Sequence, residues 1–135
     1  MKEKAPNINK LIVHWIDGSD ADHLVMMDLY KTKHYHWSLF IGHIVIEKLA
    51  KAVYVKYQEK HPPLIHDIRR ILEKTEVTLT ENQILACDTI SRFNINARYD
   101  DYKQQFYNLC TKEFTLEWIE EINNLRKWIK NTLLS

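Results

Sequence analysis

Glycine and proline are scarce in this chain: two and three in 135 residues. That argues against a fold of many tight turns and favours long helices with few breaks. Cysteine is scarce too. Cys87 and Cys110 are too few for a disulfide framework, and the pattern reads as that of a cytoplasmic protein kept reduced. No charge of one sign dominates: 19 basic and 18 acidic residues leave a formal +1, which gives no broad attraction to nucleic acid or a membrane surface. No apolar run reaches the ~18 residues of a membrane span. The opening Met1-Lys2-Glu3-Lys4-Ala5-Pro6 lacks the apolar segment of a signal peptide. Nucleophile motifs, a Gly-rich phosphate loop and a Walker lysine are absent. No repeat, low-complexity tract or linker divides the chain.

What is present is hydrophobic periodicity. With 45% hydrophobic and 27% charged residues, the chain is globular and fits one domain over 1–135, ordered from about 7 to 133 with 1–6 flexible. Lys33 to Lys56 is the organising stretch. Trp37, Ile41, Ile44, Val45, Leu49 and Ala52 form an apolar stripe at helical spacing. Leu39, Ile46, Val53 and Tyr57 widen it, leaving a narrow polar arc of His36, His43, Glu47 and Lys51. Such a helix must be covered from several sides, so it is expected at the centre of a bundle. Its ionisable arc, if buried, needs partners.

Residues 7–31 read as helix, with Asp17-Gly18-Ser19-Asp20 either breaking it, Ser19 capping a second segment, or running through. The central helix ends near Tyr57 to Lys60, before His61-Pro62-Pro63. A short helix is expected over Leu64–Leu72, then a loop and a capping box at Thr80 and Gln83. A fourth helix carries Ala86, Ile90, Phe93 and Ala97 inward, loosening over Asn94–Tyr99. A further turn or two follows, anchored by Phe106 and Tyr107, and a last helix over Thr111–Leu133 has Phe114, Trp118, Ile122, Leu125 and Ile129 inside. The expected fold is all-α: an up-and-down bundle of about five helices.

Several residues are candidates for chemistry. Seven histidines raise the question of a metal, but there is no His-Glu-x-x-His and no paired Cys, and they read as scattered helix-edge residues. Glu47 is placed to pair with Lys51 one turn on. Lys48 points toward the apolar stripe and must snorkel or find a carboxylate. His66 and Asp67 follow the Pro-Pro turn, either as caps of the next helix or as site residues. Arg98, in a polar stretch with Asn94 and Tyr99, suits a phosphate or carboxylate, or an internal ion pair to Asp67 or Glu47.

Taken in order, these segments resemble the HEPN domain family, in its small bacterial form that stands alone or pairs with a minimal nucleotidyltransferase. His14-Trp15-Ile16, Asp22 and Leu24 to Tyr30 are similar to its first helix. Tyr35 to Lys56, with Phe40, Glu47-Lys48 and Lys51-Ala52, is similar to its second, with the Glu-Lys signature. Pro63 with His66-Asp67-Ile68 resembles its Pro-x-x-His-Asp-Leu turn, and Asn94 to Arg98-Tyr99 its Asn-x-x-x-Arg-Tyr-Pro segment, with Asp100 in place of the Pro. Trp128 falls where the last helix often carries an aromatic.

The resemblance implies a dimerising helical bundle that binds nucleotides or, in one large branch, cleaves RNA without metal. That branch uses an Arg followed four to six residues later by a His. Here every Arg (69, 70, 92, 98 and 126) lies C-terminal to every His, the last being His66, so that motif is absent. The leading expectation is a non-catalytic protein with no cofactor that binds a nucleotide or related phosphorylated ligand. Arg98 would hold phosphate, Glu47, His66 and Asp67 would orient it or touch base and ribose, and Lys48, Asn94 and Tyr99 stand in reserve. A homodimer, and a nucleotidyltransferase partner in a toxin–antitoxin-like system, are implied; RNA is the less favoured ligand, and no membrane role is expected. Two alternatives remain. One is a divergent ribonuclease in which His66 meets Arg98 in space. The other is an interaction module whose Glu47, Asp67 and Arg98 form a closed structural network, with Tyr35, Tyr54 or Trp118 on a partner surface.

Overall fold

The computed structural model describes residues 6–135. The flexible segment expected over 1–6 falls, apart from Pro6, outside the described residues. Helices run from Ile8 to Leu133, and no strand is present among the described residues.

Helix α1 (Ile8–Lys31) starts at Asn7, whose side chain accepts from the Lys10 N–H. It passes straight through Asp17-Gly18-Ser19-Asp20. Ser19 is fully buried and donates its hydroxyl to the Val45 carbonyl at 2.7 Å. A residue that suits a cap is thus used as a polar rivet between two helices. The α1 end is a Schellman turn: His34 N–H reaches Leu29 O and Lys33 N–H reaches Tyr30 O. Helix α2 (Tyr35–Gln58) returns antiparallel and stops at Glu59 in the left-handed region, just before the Pro pair.

The expected Leu64–Leu72 helix is shorter. Leu64 is 96% exposed, and α3 covers only Ile68–Glu73, with Asp67 as its cap. Proline disfavours helical geometry in the residue before it and offers no N–H, so helix forms only once a capping carboxylate is reached. The capping box is as expected: Thr80 and Gln83 exchange side chain–backbone bonds at 2.9 and 3.1 Å, opening α4 (Glu81–Arg98). The expected loosening over Asn94–Tyr99 contracts to Tyr99 alone, which separates α4 from α5 (Asp100–Leu109). Helix α6 (Lys112–Trp128) ends in a π-helical turn, Ile129–Leu133. The described residues thus form six α-helices, where about five were expected.

Helix α2 is the hub: it packs against each of the other five and against the terminal turn. Fifteen of its 24 residues are buried, among them Leu39, Val45, Ile46, Leu49, Ala50 and Val53. Trp37 and Ile41 from the expected stripe are only half-buried at its edge. The polar arc is buried as well: His36, His43, Glu47 and Lys51 are each at most 9% exposed. Gly42 lets α6 approach. A Cβ there would sit 2.5 Å from Ile122 Cδ1 and 3.1 Å from Met26 Sδ. Helix α6 faces inward through Thr115, Ile119, Ile122, Leu125 and Ile129, while Phe114 and Trp118 pack at its margin. Asp20 ties α1 to the chain's end, bonding Arg126 at 3.0 Å and Lys130 at 2.8 Å.

Two expectations about aromatic residues change. Tyr107 is exposed, and Phe106 alone anchors α5. Tyr54 is buried, and Tyr35 and Trp118 pack against the core, so none of these three presents an open aromatic surface. The exposed aromatics are Tyr57, Tyr99, Tyr102 and Tyr107. No helix is long and apolar enough to cross a membrane among the described residues.

Candidate ligand site between α3 and α4

The site starts from Glu47, a carboxylate buried in the middle of α2. Two of its partners come from its own helix, one turn either way, as helical spacing dictates. His43 Nε2–H donates to Oε1 at 3.0 Å, and Lys51 Nζ donates to Oε2 at 3.2 Å. The third comes from outside: His66 Nδ1 lies 3.0 Å from Oε1. Burial by itself would raise the Glu47 pKa, but the hydrogen bond and charge of His43, joined by Lys51, hold it down at about 2. The Lys51 ammonium also sits 5.3 Å from the centre of the Trp15 ring on α1.

His66 is held on two sides. Its carbonyl is 3.4 Å from His43 Nε2. The next residues are pinned by Asp67, which accepts from Arg70 N–H at 3.2 Å, and by Ser91 of α4, which accepts from Ile68 N–H at 3.1 Å. With Nδ1 directed at Glu47, the rest of the ring is open, and the side chain is 64% exposed. It forms one end of a cleft of about 510 Å³ between the α3 segment and α4.

The cleft carries three arginines that sequence reading left aside. Arg69 is engaged, with Glu73 at 2.8 Å and Asp88 at 3.3 Å. Arg92 touches only the Thr89 hydroxyl at 3.2 Å, and the Arg70 side chain has no partner among the described residues. Glu73 and Asp88 are occupied by Arg69, and Asp67 by the Arg70 backbone, so Arg70 and Arg92 keep free guanidinium donors facing the cleft. Their signal was the tandem Arg69-Arg70 directly after the His-Asp pair; only the packing of α3 on α4 adds Arg92.

Of the expected site residues, Glu47, His66, Asp67 and Asn94 come together here. Arg98 does not line the cleft. Its Nε donates to the Asn94 carbonyl at 3.1 Å, and its guanidinium lies 5.9 Å from the Phe40 ring and 5.7 Å from the Tyr99 ring. It forms no ion pair with Asp67 or Glu47 among the described residues. Tyr99 is exposed at the α4–α5 break. Lys48 faces elsewhere, bound to Asp22 of α1 at 2.6 Å, which supplies the carboxylate its position demanded. Cys87 and Cys110 are buried with thiols pushed up to about 12, chiefly by burial, so neither is a ready nucleophile.

Comparison with known families decides the larger question. The HEPN domain model matches residues 12–132, nearly the whole chain. The chain belongs to the HEPN domain family. Within that HEPN frame, Glu47 lies on the second helix and His66-Asp67 on the connection after it, where the Glu-Lys and Pro-x-x-His-Asp resemblances put them. No curated protein and no solved structure matches the chain.

Proposed function

We propose that this HEPN-family protein binds a nucleotide or related phosphorylated ligand in the cleft between α3 and α4, without catalysing a reaction on it. One observation carries the reading. His66, braced by the buried Glu47 carboxylate, opens into a cleft that also presents the unengaged guanidinium groups of Arg70 and Arg92. Planar bidentate donors are the residues of choice for phosphate. His66 and Asn94 are then left to meet ribose or base. The phosphate-binding role moves from Arg98 to these two arginines.

The geometry weighs against the other two readings. A divergent ribonuclease would bring Arg98 to His66, whereas Arg98 lies against Phe40 and Tyr99 instead. A purely structural network would have no cavity beside it, whereas this one borders the cleft. A nucleotidyltransferase partner follows from the family resemblance alone, and co-purification from cells expressing both proteins tests it.

Thermal unfolding against a panel of nucleotides tests the reading. A ligand at ~100 times its dissociation constant adds about 2.7 kcal/mol, a shift of several degrees for a domain of this size. The expected result is a shift for wild type and for Arg98→Ala, and none for Arg70→Ala/Arg92→Ala. If no nucleotide moves the midpoint of the wild-type protein, the cleft is not a nucleotide site.

A further inference from the structure

The buried network behind the arginine cleft decides where His66 carries its proton. Glu47 is ionised, its pKa held at about 2, so its oxygens accept hydrogen bonds and donate none. Oε2 takes the Lys51 ammonium at 3.2 Å. Oε1 lies 3.0 Å from His43 Nε2 and 3.0 Å from His66 Nδ1. His43 Nε2 faces only acceptors, this oxygen and the His66 carbonyl at 3.4 Å, so it keeps its proton. His66 Nδ1 faces the same ionised oxygen and must carry a proton as well. Both lone pairs of Oε1 are then used.

A neutral imidazole has one N–H, and its other nitrogen is an acceptor. In His66 that acceptor is Nε2. Free in water, a histidine side chain favours the opposite form; here the buried carboxylate imposes the rarer one. The two ring nitrogens point nearly opposite ways. With Nδ1 turned inward to Glu47, Nε2 turns outward on a side chain that is 64% exposed and that lines the cleft. No described residue donates to it.

The cleft therefore has two unlike ends. Arg70 and Arg92 offer N–H donors that no acid engages. His66 offers a lone pair, beside the carboxylate of Asp67. The other two acids of the cleft, Glu73 and Asp88, are both bound to Arg69. An anionic oxygen is drawn to the free arginines and repelled by the lone pair at the His66 end. A hydroxyl group, which can donate, matches that end instead.

Resting on the reading of this cleft as a phosphorylated-ligand site, we propose that it selects ribonucleotides, the phosphate held by Arg70 and Arg92 while a ribose hydroxyl donates to His66 Nε2. Glu47 is the positioning residue: it fixes the His66 tautomer without touching the ligand.

Two measurements on the full-length chain at pH 8 test this. Nitrogen NMR of the histidine-labelled protein is expected to show His66 Nδ1 protonated and Nε2 bare. Calorimetry then compares each of the four ribonucleoside 5′-monophosphates with its 2′,3′-dideoxy counterpart. The ribonucleotide that binds is expected to bind about five- to tenfold more tightly than its counterpart, the worth of one neutral hydrogen bond. His66→Phe keeps a flat ring, leaves His43 and Lys51 on Glu47, and is expected to bind the two forms alike. A protonated Nε2 in the wild-type protein would overturn the proposal, as would a preference that survives in His66→Phe. Equal binding of the two forms by wild type would overturn it while leaving the cleft a nucleotide site. Binding of none of the eight nucleotides would overturn both readings.

Discussion

Glu47 concentrates more of this molecule's electrostatics than any other described residue. Its two oxygens accept from His43, His66 and Lys51, and those bonds make an ionised carboxylate tolerable in the core. Removing the charge leaves Lys51 buried opposite a neutral group, the costly half of breaking a buried pair. Glu47→Gln is therefore expected to lose about 3 to 5 kcal/mol in urea unfolding. Loss of less than 1 kcal/mol would show that Lys51 is relieved by the Trp15 face or by water. The pairing of Glu47 with Lys51 was legible from their spacing. His66 as its third partner was not, because the two are joined by a loop whose path no local pattern specifies.

Helix α2 owes its central place to a face with almost no solvent side. Gly42 is the point of closest approach, and the space a side chain would need is held by Ile122 and Met26. Valine at position 42 forces the fully buried Ile122 aside. Overpacking of this kind costs about 1 to 3 kcal/mol, and the gain in helix propensity from glycine to β-branched valine, about a few tenths of a kcal/mol, offsets little of it. Gly42→Val is expected to lower the unfolding midpoint by several degrees in a thermal melt; an unchanged midpoint would mean that α6 can shift without loss. At this scale the sequence was most informative. The Thr80–Gln83 box and the end of α2 are local events, set by a capping side chain and a proline pair. The run of α1 through its Asp-Gly-Ser-Asp segment was not decidable locally, because Ser19 is satisfied by a carbonyl on another helix.

Across the whole molecule, acid stability follows from carboxylates that pair only in the fold. Glu47 is held at about 2 against an ordinary value of 4.5. Asp20 is lowered too: burial opposes the shift, but the bonds to Lys130 and Arg126 outweigh it. Below pH 4.5 the unfolded chain takes up a proton at Glu47 that the folded protein refuses. The stabilisation is thus complete above about pH 4.5 and drains away as pH falls toward 2. Urea midpoints measured across that window are expected to fall steadily for wild type and less steeply for Glu47→Gln. Equal slopes would place the acid sensitivity elsewhere, with Asp20→Asn as the next variant to measure.

The sequence by itself determined the helical class, most helix boundaries, the central place of α2 and the family, since each rests on periodicity, caps and short motifs read within a few turns. Only the tertiary structure decided which charges meet. Lys48 goes to Asp22, Arg98 to the Phe40 and Tyr99 rings, and Arg70 and Arg92 to a shared cleft beside His66. Helical spacing states which face a side chain occupies, but not which other helix lies opposite. A ligand site in a bundle is assembled across helices, so its members become visible only when α3 and α4 are packed against α2.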